Sequence, residues 1–164
     1  MARGAEVVTR SRLEAPPARV WEWITTARGV NDELRPWLRM TAPARVRESG
    51  LAAVAVGERV CRSWVLLLGV LPIDYDDLTL VRIDPEAGFL ERSPMLSQRA
   101  WEHERTLEPV DGGCRIVDRI RFEPRAWMSV GLARLVLAAI FRHRHRRLRR
   151  RFGGEGEGQE LRGV

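Results

Sequence analysis

Lysine is absent from this sequence. All 28 basic residues among the 164 are arginine. Such a bias fits the codon usage of a GC-rich bacterial genome, so a high isoelectric point alone says little about nucleic acid. Up to Phe141 the chain carries 20 arginines against 19 aspartates and glutamates, which is nearly neutral. Cysteine is scarce: Cys61 and Cys114 show no metal-ligand spacing, and two buried free thiols are expected rather than a disulfide. Long apolar runs are missing too. The longest, VLLLGVL at 65–71, falls far short of the ~20 residues that cross a bilayer. The N-terminus has no apolar stretch of a secretory signal, so a cytoplasmic protein is expected. No GxSxG, HExxH, P-loop or dinucleotide glycine signature occurs. No metal and no cofactor is therefore expected.

The residues that are present outline one domain over 1–153. Residues 5–13 read as a strand. EAPPARVWEWITTA (14–27) reads as a helix, with prolines in its first turn and Val20, Ile24 and Ala27 at helical spacing. A short second helix is expected near 30–35, and 41–57 is expected to be mostly loop. Strand patterns follow at 57–69, 76–84, 89–96, 97–110 and 113–124, with Asp111-Gly112 as a two-residue hairpin turn. A long helix runs from about 130 to 152 and stops at Gly153-Gly154. Residues 154–164 form a glycine-rich acidic stretch, expected to be a flexible tail.

Strand, two helices, an antiparallel meander and one long helix make an α+β order. The stretches APPARVWEWIT, WEHERTLEPVDGGCRIVDRIRFEP and FRHRHRRLRRRFG carry a resemblance. Over about residues 5–153 the chain resembles the START/polyketide cyclase/Bet v 1-like (SRPBCC) superfamily. The resemblance implies a helix-grip fold: a curved antiparallel sheet of about 6–7 strands around a long C-terminal helix, two short helices after the first strand, and an internal cavity. Members hold apolar or amphipathic small molecules there, and some are aromatase/cyclases. The superfamily has no universal catalytic residue to carry over.

The DG turn fixes a register. With Val110 opposite Gly113, paired positions sum to 223, so Arg105 faces Asp118, His103 faces Ile120 and Trp101 faces Phe122. Side chains alternate faces along a strand. One face then carries Trp101, His103, Arg105, Leu107, Ile116, Asp118, Ile120 and Phe122, and it is the more apolar one. A buried charge needs a partner, which Arg105 and Asp118 supply to each other. They are either a cross-strand pair that fixes register or a polar anchor at a cavity floor. In the second case His103 is the candidate catalytic or ligand-binding group beside them.

Six tryptophans are many for a chain with one tyrosine. Trp37, Trp64 and Trp101 are the candidates to line a cavity, with Phe122 beside them. PIDYDD (72–77) places three carboxylates within four residues, which suggests a metal site or an acid/base pair, but its proline and its position at a strand start favour a solvated turn. In RHRHRRLRRRF (142–152), Phe141, His145, Leu148 and Phe152 share one helical stripe, which leaves most arginines in water. His145 is the one basic residue on the inner side.

Three functions compete. The first is a carrier, sensor or storage protein for a hydrophobic or amphipathic small molecule, lipid-, polyketide- or sterol-like. The second is a polyketide cyclase/dehydratase-type enzyme using His103, Arg105 and Asp118 without metal. The third is weak contact with anionic membrane through Arg142–Arg151. Nucleic acid is disfavoured, because the run lacks interleaved aromatics.

Overall fold

The computed structural model describes residues 4–51, 54–57 and 59–163. Positions 52, 53 and 58, inside the expected loop and the strand after it, lie outside the described residues. The chain opens with strand β1 (Ala5–Leu13) and helix α1 (Pro17–Ile24), which enters through two prolines and buries Val20, Trp21 and Ile24. Where one helix was expected through residue 27, the chain breaks at Thr25-Thr26. Thr26 is extended, and its hydroxyl accepts from Gly29 N–H at 3.0 Å, capping helix α2 (Ala27–Leu34). Strand β2 (Leu38–Met40) and helix α3 (Ala44–Ser49) follow, so part of the expected loop is helical. Pro43 starts that helix, and Val46 buries against the core.

Strands β3 (Arg59–Leu67), β4 (Leu71–Asp84), β5 (Gly88–Arg92), β6 (Gln98–Val110) and β7 (Gly113–Pro124) form the meander. Helix α4 (Val130–Phe152) and strand β8 (Glu155–Gly163) complete the chain. One antiparallel sheet runs in the order β2-β3-β4-β5-β6-β7-β1-β8. The β6–β7 register is the one the DG turn dictates: Val110 opposite Gly113, Arg105 opposite Asp118, Trp101 opposite Phe122.

Two stretches differ from expectation. Residues 154–164 are not a loose tail, since β8 pairs with β1 from Glu155 to Gly163. Composition misled because β8 is held by its backbone ladder and by ion pairs such as Arg115–Glu157 and Arg10–Glu160, not by apolar burial. Glycine makes the return possible: at Gly154 (φ +110) a Cβ would lie 2.0 Å from the Arg12 carbonyl oxygen. PIDYDD is strand rather than turn. It belongs to β4, where Asp76 is buried and Asp77 pairs with Arg62 on the outer face.

Helix α4 lies over β1, β7 and β8 and against α2. Its inward face carries Ala133, Ala138, Phe141, Arg144, His145 and Leu148. The apolar interior is split in two. One cluster joins α1 to the middle of the sheet through Trp21, Ile24, Leu80, Phe89, Ile116 and Leu148. The other joins the first half of α4 to Ala5, Val7, Ile120 and Phe122. Several charged side chains are buried alongside them.

Candidate functional site

Asp118 is the centre of this polar layer. Its Oδ1 accepts from Arg105 Nε (2.6 Å) and His103 Nε2 (2.8 Å). Its Oδ2 accepts from Arg105 Nη2 (2.7 Å) and His145 Nε2 (2.9 Å). Bonds of this kind to an ionised acceptor are short and strong. The rest of the Arg105 fork donates to Glu33 of α2, Nη1 to Oε1 at 3.0 Å and Nη2 to Oε2 at 2.9 Å. Arg144 of α4 adds a third bond to Glu33 at 2.8 Å. Two carboxylates thus meet two guanidiniums, and Arg105, Asp118, Glu33 and His145 are each 0% exposed.

The hydrogen bonds also fix a tautomer. His145 donates from Nε2 to Asp118, so its Nδ1 accepts from the Ser11 hydroxyl at 2.9 Å, while that hydroxyl accepts from Arg149. Burial alone would raise the Asp118 pKa, but Arg105 and His103 outweigh it and hold the carboxyl well below its ordinary value. Glu33 follows the same rule: burial raises it, and Arg105 with Arg144 brings it below normal. The expected cross-strand pair therefore exists, inside a larger network.

A second cluster continues from His103. Its Nε2–H is committed to Asp118, so Nδ1 is the nitrogen left over, and it lies 3.8 Å from Glu91 Oε2. Phe89 and Phe141 pack edge-on against the ring, with centroids 5.3 and 5.2 Å away. Glu91 Oε1 accepts from Trp101 Nε1 (3.2 Å) and the Ser93 hydroxyl (3.0 Å). Asp76 reaches the same carboxylate from β4, and no protein N–H reaches its Oδ1. Burial and the adjacent Glu91 charge push the Asp76 pKa well above its ordinary value. Burial would raise Glu91 as well, but the His103 ring and the Asp76 carboxyl bring it below normal. The two carboxyls are thus driven apart, Asp76 upward and Glu91 downward, as close like charges require.

The sequence-predicted residues separate accordingly. His103 and Trp101 come together, and Trp101 also faces Phe141 at 6.5 Å. Arg105 and Asp118 do not form the floor of an open cavity, because Glu33, Arg144 and His145 fill the space above them. Phe122 is a core residue, 3% exposed beneath α4. Trp64 points the wrong way for a lining residue. It shares the outer face with Tyr75 and the Arg62–Asp77 pair, at 45% exposure. Trp37 is 57% exposed at the sheet edge. Sequence reasoning missed Glu33, Asp76, Glu91 and Arg144. Parity was the available signal for two of them. Asp76 shares alternation with Leu78 and Leu80, and Glu91 shares it with Phe89. The thiols are free, and burial pushes Cys114 up to about 11.

The first half of α4 has few close backbone approaches to β3, β4 and β5. Contacts nevertheless link α4 and the segments before it to the β2–β3–β4 arm. The Trp37 carbonyl accepts from Leu68 N–H, and the Arg35 carbonyl accepts from His143 of α4. Ahead of α4, Arg125 holds the Leu96 carbonyl, and Leu96 N–H donates to Asp74 of β4. Exposed apolar side chains occur on these segments: Trp37, Leu68, Val70, Leu71, Leu96, Leu132 and Val136. Two depressions lie elsewhere. One of about 600 Å³ sits on the outer sheet face among Arg10, Glu104, Arg115 and Glu157. The other, about 460 Å³, lies between α1 and the end of α4 beside Trp23 and Arg151.

The arginine run is largely spent inside the molecule. Arg142 bonds Gln159, Arg144 bonds Glu33, Arg147 bonds Asp32, Arg149 bonds Ser11, and Arg151 stacks on Trp23. No helix is long and apolar enough to cross a membrane. Among the described residues no three His, Cys, Asp or Glu side chains are grouped to hold a metal ion.

Solved structures share this architecture. Protein CV1439 from Chromobacterium violaceum superposes with a TM-score of 0.70 at 12% identity, covering 90% of this chain and 96% of that one. A START superfamily protein from Mycobacterium smegmatis gives 0.65 at 8% identity, covering 90% and 97%. DynU16, from the dynemicin biosynthetic locus, gives 0.55 at 17% identity, covering 88% of this chain and 46% of that one. The fold is therefore the helix-grip fold of the START/Bet v 1-like superfamily. No curated protein matches the sequence. A family model does match, over residues 11–152, and the chain belongs to that family, described as "Domain of unknown function (DUF8410)".

Proposed function

We propose that the protein holds a hydrophobic or amphipathic small molecule in the cleft between the first half of α4 and the β2–β3–β4 arm. It would act as a carrier, sensor or storage protein. One observation carries this reading: exposed apolar side chains stand on α4 and the β2–β3–β4 arm, and the sparse polar group of Asp76, Glu91, His103 and Trp101 is gathered on the inner face of the sheet. Apolar walls with a few convergent polar groups are the usual form of a small-molecule site. Native mass spectrometry of the purified full chain tests it. A co-purified small molecule, or saturable uptake of an apolar fluorescent probe, is expected. Val136→Glu, on the exposed helix face, should abolish uptake without unfolding the protein. A bare polypeptide mass together with no saturable probe uptake would overturn the reading.

A second reading is a cyclase/dehydratase-like enzyme, favoured by Asp76, pushed upward, beside Glu91, brought downward. Such a pair can give and take a proton at one locus. Arg105 and Asp118 would then be positioning residues, because Asp118 fixes the His103 ring through Nε2. Turnover of a polyketide-like substrate that survives both Asp76→Asn and His103→Ala would remove this alternative.

A further inference from the structure

We propose that the rim of the cleft docks on an anionic lipid bilayer, with the β3–β4 turn entering the headgroup boundary. The turn itself is the first argument. Val70 N–H donates to the Leu67 carbonyl at 3.1 Å, and the two central residues, Leu68 and Gly69, have φ of +51° and +79°. A turn with both central φ values positive favours Asn, Asp or Gly, and a leucine there is held in a disfavoured backbone region. Leu68 is nevertheless 61% exposed, and Val70 is 79% exposed. The chain bears a backbone cost and an apolar exposure cost at one point, and no packing within the molecule offsets either.

The neighbours supply the second argument. Trp37, beside Leu68, offers an amphipathic ring of the kind that settles at membrane interfaces. Arg35 and Arg39 flank it, both exposed and without an ion pair among the described residues, and the Arg39 side chain borders Gly69. On the outer sheet face, by contrast, Arg62, Arg92, Arg115 and Arg121 each hold a carboxylate. From Ser63 to Ile73 the chain has no acidic residue. An apolar tip with unpaired arginines behind it matches a negatively charged surface over an apolar interior. A second copy of this chain would set the same arginines against each other.

Vesicle co-sedimentation of the full chain tests the proposal. Vesicles of phosphatidylcholine alone are compared with vesicles also containing phosphatidylglycerol, at low and high salt. Binding is expected only to the anionic vesicles and should weaken with salt. Leu68→Asp with Val70→Asp should weaken it by about tenfold or more. Asp suits the positive φ at position 68, so the turn survives, and an unchanged circular dichroism melt would verify this. Arg35→Gln and Arg39→Gln should each cost about fivefold. Equal binding by the double aspartate variant, equal binding to both vesicle types, or no vesicle binding at all would overturn the proposal. So would capture of an acidic protein by a chain that ignores vesicles. The ligand reading does not depend on the outcome, since probe uptake is measured without lipid.

Discussion

The two halves of α4 meet the same sheet in opposite ways. Under the second half, every buried charge has its complement. Arg105 divides its fork between Asp118 and Glu33, Arg144 joins Glu33, and His145 bridges Asp118 to Ser11. Beside the first half, the polar groups are incomplete. Asp76 and Glu91 face each other with no guanidinium between them among the described residues, and Asp76 is pushed well above its ordinary value. A closed, charge-balanced layer holds elements in place. An unbalanced one beside an open rim is where something else binds. The arginines sort less cleanly: Arg142, Arg144, Arg147 and Arg149 of α4 are tied to Gln159, Glu33, Asp32 and Ser11, while Arg146 and Arg150, like Arg35 and Arg39 at the rim, hold no carboxylate among the described residues.

The sharpest way to break this contrast is to damage each layer once. Asp118→Ala removes the acceptor of four bonds and strands Arg105 with a buried charge. Unfolding in urea should show a loss of roughly 3–5 kcal/mol, the usual consequence of removing one partner of a buried pair. Asp76→Asn, on the open side, keeps a neutral hydrogen-bonding group beside Glu91 and should cost much less. Comparable losses for the two variants would mean that both layers are structural.

Acid and base separate the layers by sign. Asp118 and Glu33 have lowered values in the folded protein. Their contribution is complete above the ordinary carboxylate range near ~4 and disappears as pH falls through the folded values. Asp76 is raised, so the folded protein keeps a proton that the unfolded chain releases near ~4. Stability from this group falls as pH rises from there to the folded value. Urea midpoints measured against pH should show both slopes. Asp76→Asn should flatten the upper slope and leave the acid one; a profile in which the upper slope survives would place the raised group elsewhere.

The hairpin was legible because a two-residue turn admits one register, and one register assigns every side chain to a face. That is how Arg105, Asp118 and His103 could be placed together on the inside. Trp64 had no such turn to assign its face: it was a candidate for its ring and its place on a strand, and alternation with buried Ser63 puts it outside. Asp76 was missed because carboxylates at 74, 76 and 77 look like surface residues, yet alternation sends only two of them inward. Glu33 was out of reach. Its partner Arg105 lies 72 residues away, and only tertiary packing joins α2 to β6. Strand β8 was lost for a related reason: composition reports apolar burial, not an edge on β1 that needs a backbone partner.

The smallest expected effect falls on the feature that stands out most in the sequence. Arg146 and Arg150 are two of the exposed arginines of the run that hold no carboxylate among the described residues. Arg146 donates to His143, and Arg150 extends into solvent. Arg146→Gln with Arg150→Gln should leave stability within about 0.5 kcal/mol, as for ordinary surface substitutions. Binding to anionic vesicles should change less than for the rim variant: Arg150 lies about 10 Å farther along α4 than His143, beyond a Debye length of ~8 Å, and only Arg146 adjoins the rim, through His143. The rim variant Leu68→Asp/Val70→Asp and this pair therefore compete for the same readout. If the arginine pair abolished vesicle binding and the rim pair did not, the docking surface would belong to the end of α4. The leucine in a turn suited to asparagine would then be a cost without a purpose.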